Sequence, residues 1–132
     1  ATINLFAGGI QLLSAEHPYE KWANFPLAQK RFFDILTKYS IQTPIYLSGD
    51  RHIAEASYQE IKPNYWIYDI TSSGLTHSYD SLEEEPNQYR ISPLLTMLNF
   101  GKIEINWETS ELQAQIINVD GIPQFIQKIP FE

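Results

Sequence analysis

Only one part of the chain repeats its apolar residues at helical spacing. Four of them stand at positions i, i+3, i+4 and i+7, so a helix would bring their side chains onto a single face. Pro26 suits the first turn of such a helix, and Asn24 is a residue type that caps helix N-termini. The pattern therefore predicts an amphipathic helix over Pro26–Tyr39. The four apolar residues are Phe32, Ile35, Leu36 and Tyr39.

The rest of the first half of the chain favours β-strands. The apolar run near the N-terminus is β-like, and its Gly8-Gly9 pair indicates a bend or a close backbone approach. The stretch 53–61 alternates between two faces, with Ile53 and Glu55 on one of them. The predicted strands of this half lie at residues 2–13, 43–48, 53–61 and 65–71.

The last third of the chain has the clearest β pattern. Three runs at 102–107, 112–119 and 124–129 are separated by short turns, which predicts an antiparallel meander. A long polar segment, 72–92, precedes them and is typical of a functional or mobile loop. The predicted fold is therefore α/β (α+β) and mostly β. Because one helix cannot cover six or seven strands on both faces, we expect a sheet face to remain for another partner.

The composition of the chain excludes or disfavours several kinds of binding partner and of functional site. The 132 residues suffice for one domain, 1–132, with its own core. The net charge of -7, with no cluster of Lys or Arg, disfavours binding to nucleic acid or to an anionic membrane. The lack of cysteine excludes disulfides, thiolate nucleophiles and Cys-type zinc sites, and no apolar run is long enough to span a membrane. Since the chain opens on a strand-like run without a methionine or a basic leader, we expect it to begin inside a longer gene product.

A Gly-Asp-Arg-His turn after the strand predicted at 43–48 is the first candidate site. Asp50 supplies a carboxylate, which suits Ca, Mg or Mn, and His52 supplies an imidazole, which suits Fe or Zn. Turns at strand ends are also where α/β proteins often project functional side chains. The simpler interpretation is an Asp-capped turn with an incidental histidine, and the four letters alone favour it.

Other polar positions are weaker candidates. Ser72 and Ser73 end a strand among hydroxyls and free amides suited to holding an anionic substrate, although such turns are common. His77, in the long loop, is as consistent with the surface as with a site, whereas His17 is predicted to lie on the surface. The acidic run at 83–85 is typical of a solvated loop. The three tryptophans, Trp22, Trp66 and Trp107, are expected in the core.

Taken together, five segments resemble one family. They are, in order, GGIQLL, EHPYEKWANFPLAQKRFFDIL, IYLSGDRHIAEAS, YDITSSGLTHS and NFGKIEINW. Their order and spacing are similar to the C-terminal part of the alkaline phosphatase D (PhoD-like) metallophosphoesterases, over residues 3–120. The resemblance implies a phosphoester hydrolase with two metal ions in a four-layer α-β-β-α sandwich. Ca and Fe are the implied pair, and Mn, Mg or Zn are alternatives.

The resemblance also implies roles and partners. Asp50 would bind the Ca-like position and His52 the Fe-like position of the metal centre. The family takes its other ligands from an N-terminal half that these residues do not include. We therefore expect an inactive or nearly inactive fragment, whose partners are a phosphoester substrate and either that missing half or another copy of the chain. Because the family is often exported, a periplasmic or extracellular location is expected. The competing hypothesis is a non-catalytic, β-rich module whose exposed sheet face binds a partner.

Overall fold

The computed structural model describes residues 1–132 without a gap. It contains seven β-strands, one α-helix and a short 3₁₀ helix, so the fold is mixed α/β and mostly β, as predicted. No helix is both long enough and apolar enough to cross a membrane. In chain order the elements are β1 (Asn4–Ala7), the 3₁₀ helix (Trp22–Asn24), α1 (Pro26–Lys38), β2 (Pro44–Ser48), β3 (Ala54–Lys62), β4 (Tyr65–Ser72), β5 (Asn99–Asn106), β6 (Glu111–Asn118) and β7 (Pro123–Pro130).

The strands form two sheets that share a core. Four strands make a mixed sheet in the order β1-β2-β4-β3, in which only β3 is antiparallel to its neighbour. The other three form the predicted antiparallel meander. Ile45 and Ile70 of the first sheet pack with Leu112 of the second in one buried cluster. The meander therefore covers one face of the four-stranded sheet with an apolar face of its own, and the expectation that a sheet face remains for another partner stays a prediction.

The helix covers part of the opposite face of the four-stranded sheet. Leu36 of α1 is buried and packs in one cluster with Tyr46 and Ile67. The predicted helix, Pro26–Tyr39, is confirmed to within one residue at its C-terminal end. The predicted cap was wrong, because Asn24 belongs to the 3₁₀ helix that runs directly into α1, and no side chain caps the helix.

The first apolar run leaves the sheet at Gly8 instead of continuing as a strand to residue 13. The backbone of Gly8 passes so close to Tyr46 that an added Cβ would lie 1.7 Å from the phenol oxygen. The Tyr46 hydroxyl is itself fixed, since it accepts a hydrogen bond of 3.0 Å from the Trp22 indole. Segment 11–13 then crosses the face of the sheet that carries α1 and is completely buried there.

Two of the three tryptophans do not lie in the core. Trp22 packs against the cluster under α1, but Trp66 and Trp107 are 39% and 66% exposed. Trp107 lies in the turn after β5 and meets Phe131 edge-on, with ring centroids 5.4 Å apart. Trp66, near the start of β4, is stacked parallel to Tyr58 at the rim of a surface groove. The core prediction was wrong for these two because both lie at strand ends, where the opposite layer no longer covers them.

The tight contact at Gly8 yields a stability prediction. Gly8→Ala is expected to lower the free energy of unfolding by about 1–3 kcal/mol, because the new methyl group must displace the Tyr46 ring. Gly9→Ala is the matched control, since no atom lies within 4 Å of the position its Cβ would take. Urea unfolding followed by circular dichroism measures both. Equal unfolding midpoints for the two variants would contradict the close packing at Gly8.

Candidate functional site

Asp69 ties the crossing segment to the four-stranded sheet. Its carboxylate is almost completely buried and accepts backbone hydrogen bonds of 2.7 and 2.9 Å from Leu12 and Leu13. The Ser48 hydroxyl donates to the other carboxylate oxygen at 2.7 Å. Burial raises the pKa of Asp69 to about 6, although the three hydrogen bonds oppose the shift. These contacts supply the partners that a carboxylate needs once it has left water.

A buried ion pair joins the Gly-Asp-Arg-His turn to the long loop. Arg51 and Glu85 are 3% and 5% exposed, and two parallel hydrogen bonds of 2.8 and 2.7 Å connect them. Arg51 also donates to the Gln11 side chain at 3.2 Å, and its guanidinium lies over the Tyr19 ring. The prediction that run 83–85 is solvated was therefore wrong for Glu85, because Arg51 supplies a buried positive charge beside it.

Glu55 anchors the loop at a second point. Its fully buried carboxylate forms an ion pair with Arg90 and accepts hydrogen bonds of 2.7 Å from Gln11 and 3.0 Å from Asn87. Arg90 also donates to the Glu85 carbonyl at 2.7 Å. The loop has no regular secondary structure, but these pairs fix it against β3, on the part of the α1-bearing face that the helix leaves uncovered.

The turn after β2 holds its two candidate ligands in an uncommon backbone conformation. Asp50 and His52 have φ angles of 68° and 53°, in the left-handed region that costs a non-glycine residue about 1–2 kcal/mol. The His52 N–H donates to the Ser73 hydroxyl at 3.1 Å, and the His52 carbonyl accepts from the Tyr79 N–H at 2.7 Å. The turn is therefore held at two points of the long loop, one directly after β4 and one at Tyr79.

Asp50 and His52 line an open cleft of 390 Å³. His77 reaches the same cleft from the long loop, with its ring centroid 5.4 Å from that of His52. Tyr79 forms another wall, 6.2 Å from the His52 ring. Asp50 is exposed and His52 is half-buried, and both side chains are free of hydrogen bonds and ion pairs to the rest of the chain. The structure thus brings three of the five candidate residues into one cleft.

The donor set of the cleft fits part of a metal centre. A carboxylate oxygen and an imidazole nitrogen are ordinary ligands of divalent and trivalent ions, and neither is occupied by another partner. However, no group of three or more His, Asp or Glu side chains is arranged to hold a metal ion. Because a stable protein site needs about three or more ligands per ion, Asp50 and His52 suffice for a share of a centre only.

The two serines of the candidate set support the turn and its surroundings. Ser72 donates to the Asn99 side-chain oxygen at 2.9 Å, and Asn99 in turn packs tightly against Gly74. Ser73 accepts the hydrogen bond from the His52 N–H. Both hydroxyls are therefore already engaged within the chain, and their part in substrate binding stays a prediction.

The surface location predicted for His17 was wrong. The residue is 2% exposed and lies a few residues after the crossing segment, near the buried Arg51–Glu85 pair. Its Nδ1 accepts a 3.2 Å hydrogen bond from the Tyr19 N–H, and its Nε2 has no partner. Burial and the nearby positive charge of Arg51 lower the pKa of His17 to about 4. No local signal marked this burial, since Glu16 and Pro18 flank the residue.

Asp69 and His17 are expected to act on stability in opposite directions between pH 4 and pH 6. The folded pKa of Asp69 lies above its ordinary 3.8, so its contribution is complete below pH 3.8 and is lost as the pH rises through about 6. The folded pKa of His17 lies below its ordinary 6.5, so its contribution is complete above pH 6.5 and is lost as the pH falls toward about 4. The two contributions to the free energy of unfolding therefore oppose each other over this range.

Single substitutions should separate the contributions of the two residues to the pH dependence of the free energy of unfolding. In Asp69→Asn, the free energy of unfolding should rise with pH between 4 and 6, because only the His17 effect remains. In His17→Gln, it should fall over the same range. Urea unfolding at several pH values, with the unsubstituted chain alongside, measures all three profiles. Parallel profiles would contradict the assignment of opposing titrations to these two residues.

Comparisons with known proteins assign no family to this chain. No protein-family model matches the sequence, and a search of curated proteins finds no significant match. Support for any function therefore comes from the residues of the cleft and the segments that resemble the PhoD-like family.

Proposed function

We propose that this chain supplies part of the metal centre of a PhoD-like phosphoester hydrolase. The observation that carries the proposal is the turn after β2, which presents Asp50 and His52 to an open cleft with both side chains free. Side chains that only shaped the turn would be expected to bond back to it, as an Asp-capped turn does. The free carboxylate and imidazole instead favour ligands for an external group.

Asp50, His52 and His77 each have a different role in the proposed site. Asp50 holds a hard ion such as Ca, and His52 holds the neighbouring Fe-like ion. When bound, such a pair of ions supplies a nucleophilic hydroxide and stabilises the negative charge of the phosphoryl oxygens. His77, beside His52, is placed to donate a hydrogen bond to the phosphoester substrate.

The further ligands are proposed to come from outside these residues. Two ligands do not complete a centre with two ions, so an N-terminal half of the same protein or another copy of the chain must contribute the rest. In this proposal the chain forms about half of a four-layer α-β-β-α sandwich, and the chain alone is inactive or nearly so. A periplasmic or extracellular location belongs to the same proposal.

A second candidate is a non-catalytic module that binds a partner through a sheet face. The outer face of the meander favours it, since Phe100 and Ile126 are 41% and 46% exposed there. Exposed apolar residues on one sheet face are a feature of interaction surfaces. In this alternative Asp50 and His52 have no metal to bind.

Metal titration of the chain separates the two functions. We expect weak Mn²⁺ binding by calorimetry, reduced by roughly tenfold or more in the double variant Asp50→Ala/His52→Ala because both ligands are gone. Asp120→Ala, which removes an exposed carboxylate from the turn after β6, is the control and should bind as the unsubstituted chain does. Binding that is equal in all three proteins would contradict the metal-centre proposal and favour the module.

Hydrolysis assays test the incomplete centre separately. The isolated chain is expected to leave a chromogenic phosphate ester intact, with or without added Ca and Fe. Metal content near one or two ions per chain by mass spectrometry, together with turnover, would show that the chain builds a complete centre and would contradict the proposed sharing of ligands.

A further inference from the structure

We infer that Glu85 is a positioning residue for the Gly-Asp-Arg-His turn, acting through its buried ion pair with Arg51. The pair fixes the backbone between Asp50 and His52 and at the same time seats the long loop beside the cleft. The purpose of this positioning, alignment of metal ligands, rests on the proposed function. The positioning itself is a property of the chain without metal.

Arg51 is the residue between the two candidate ligands, so fixing its side chain restrains both. Its guanidinium makes three hydrogen bonds, two to Glu85 and one to Gln11, and the Tyr19 ring lies against its face at 4.7 Å. The backbone on both sides of Arg51 is in the left-handed region, which persists only where the surroundings impose it. The two charge-assisted hydrogen bonds of the ion pair are one such restraint on the turn.

Glu85 belongs to the loop that contributes His77, Ser78 and Tyr79 to the cleft. Arg90 donates to its carbonyl, which fixes the backbone at this point of the loop as well as the side chain. Upstream in the same loop, the Tyr79 N–H bonds to the His52 carbonyl, and His77 lies against the His52 ring. One ion pair therefore connects the turn and the loop, the two sides of the cleft.

The pair is better explained by positioning than by stability. A buried ion pair of this kind is often no more stabilising than apolar side chains of similar size. What an ion pair adds is a fixed geometry, since two parallel hydrogen bonds allow one mutual orientation. Among three consecutive glutamates only Glu85 is buried, while Glu83 and Glu84 are exposed.

Amide hydrogen exchange measured by NMR on the metal-free chain tests the inference. Glu85→Gln should speed exchange of the His52 and Tyr79 amides by about tenfold or more, while amides of β6 such as Ile116 change much less. Glu84→Gln is the matched control and should leave both cleft amides unchanged. A uniform change across the chain, or no change at His52 and Tyr79, would overturn the positioning role.

If Glu85→Gln does not fold, amide exchange in a double variant and in the unsubstituted chain tests the same inference. Arg51→Met/Glu85→Leu removes both charges, so stability should recover while the His52 and Tyr79 amides stay unprotected; recovered protection would overturn the inference. In the unsubstituted chain the Tyr79 amide should exchange much more slowly than that of Ser78, and equal rates would overturn it too. None of these measurements involves a metal, so failure of metal binding would count against the proposed function alone.

Discussion

The face of the four-stranded sheet that carries α1 buries two ion pairs and the carboxylate of Asp69, and this burial of charge constrains the rest of the molecule. The helix covers only part of that face. The remainder is covered by irregular segments, whose backbone groups need polar partners that an apolar sheet surface does not offer. Removing one partner of a buried pair leaves an uncompensated charge, at a cost of about 3–5 kcal/mol. The irregular segments therefore have few alternative positions.

The cleft lies where this polar face reaches the ends of the parallel strands. β2 and β4 run side by side and end at Ser48 and Ser72, so the turn after β2 and the loop after β4 leave the sheet as neighbours. Parallel sheets characteristically place functional turns at this edge. On the opposite face the apolar contact with the meander holds the strands. The cleft is thus built from irregular backbone on a rigid support, and the buried Arg51–Glu85 pair connects the turn to the loop beside it.

The local sequence pattern was sufficient to predict most of the secondary structure. It predicted none of the buried charged residues. The helix and the meander were predicted because helical spacing and alternation are properties of neighbouring residues. Glu55 and Glu85 are buried because Arg90 and Arg51 meet them from 35 and 34 residues away, and no local pattern encodes such a pairing. His17 was misplaced for the same reason. The turn that carries Asp50 and His52 was predicted because a turn between strands is a local feature, whereas its left-handed backbone was not foreseen.

The most direct test of the central claim is anomalous X-ray diffraction from crystals of this chain soaked in millimolar Mn²⁺. The account predicts a manganese peak in the cleft, within coordinating distance of the Asp50 carboxylate or the His52 imidazole and completed by solvent. Manganese bound only elsewhere, with both side chains turned away from the cleft, would contradict it.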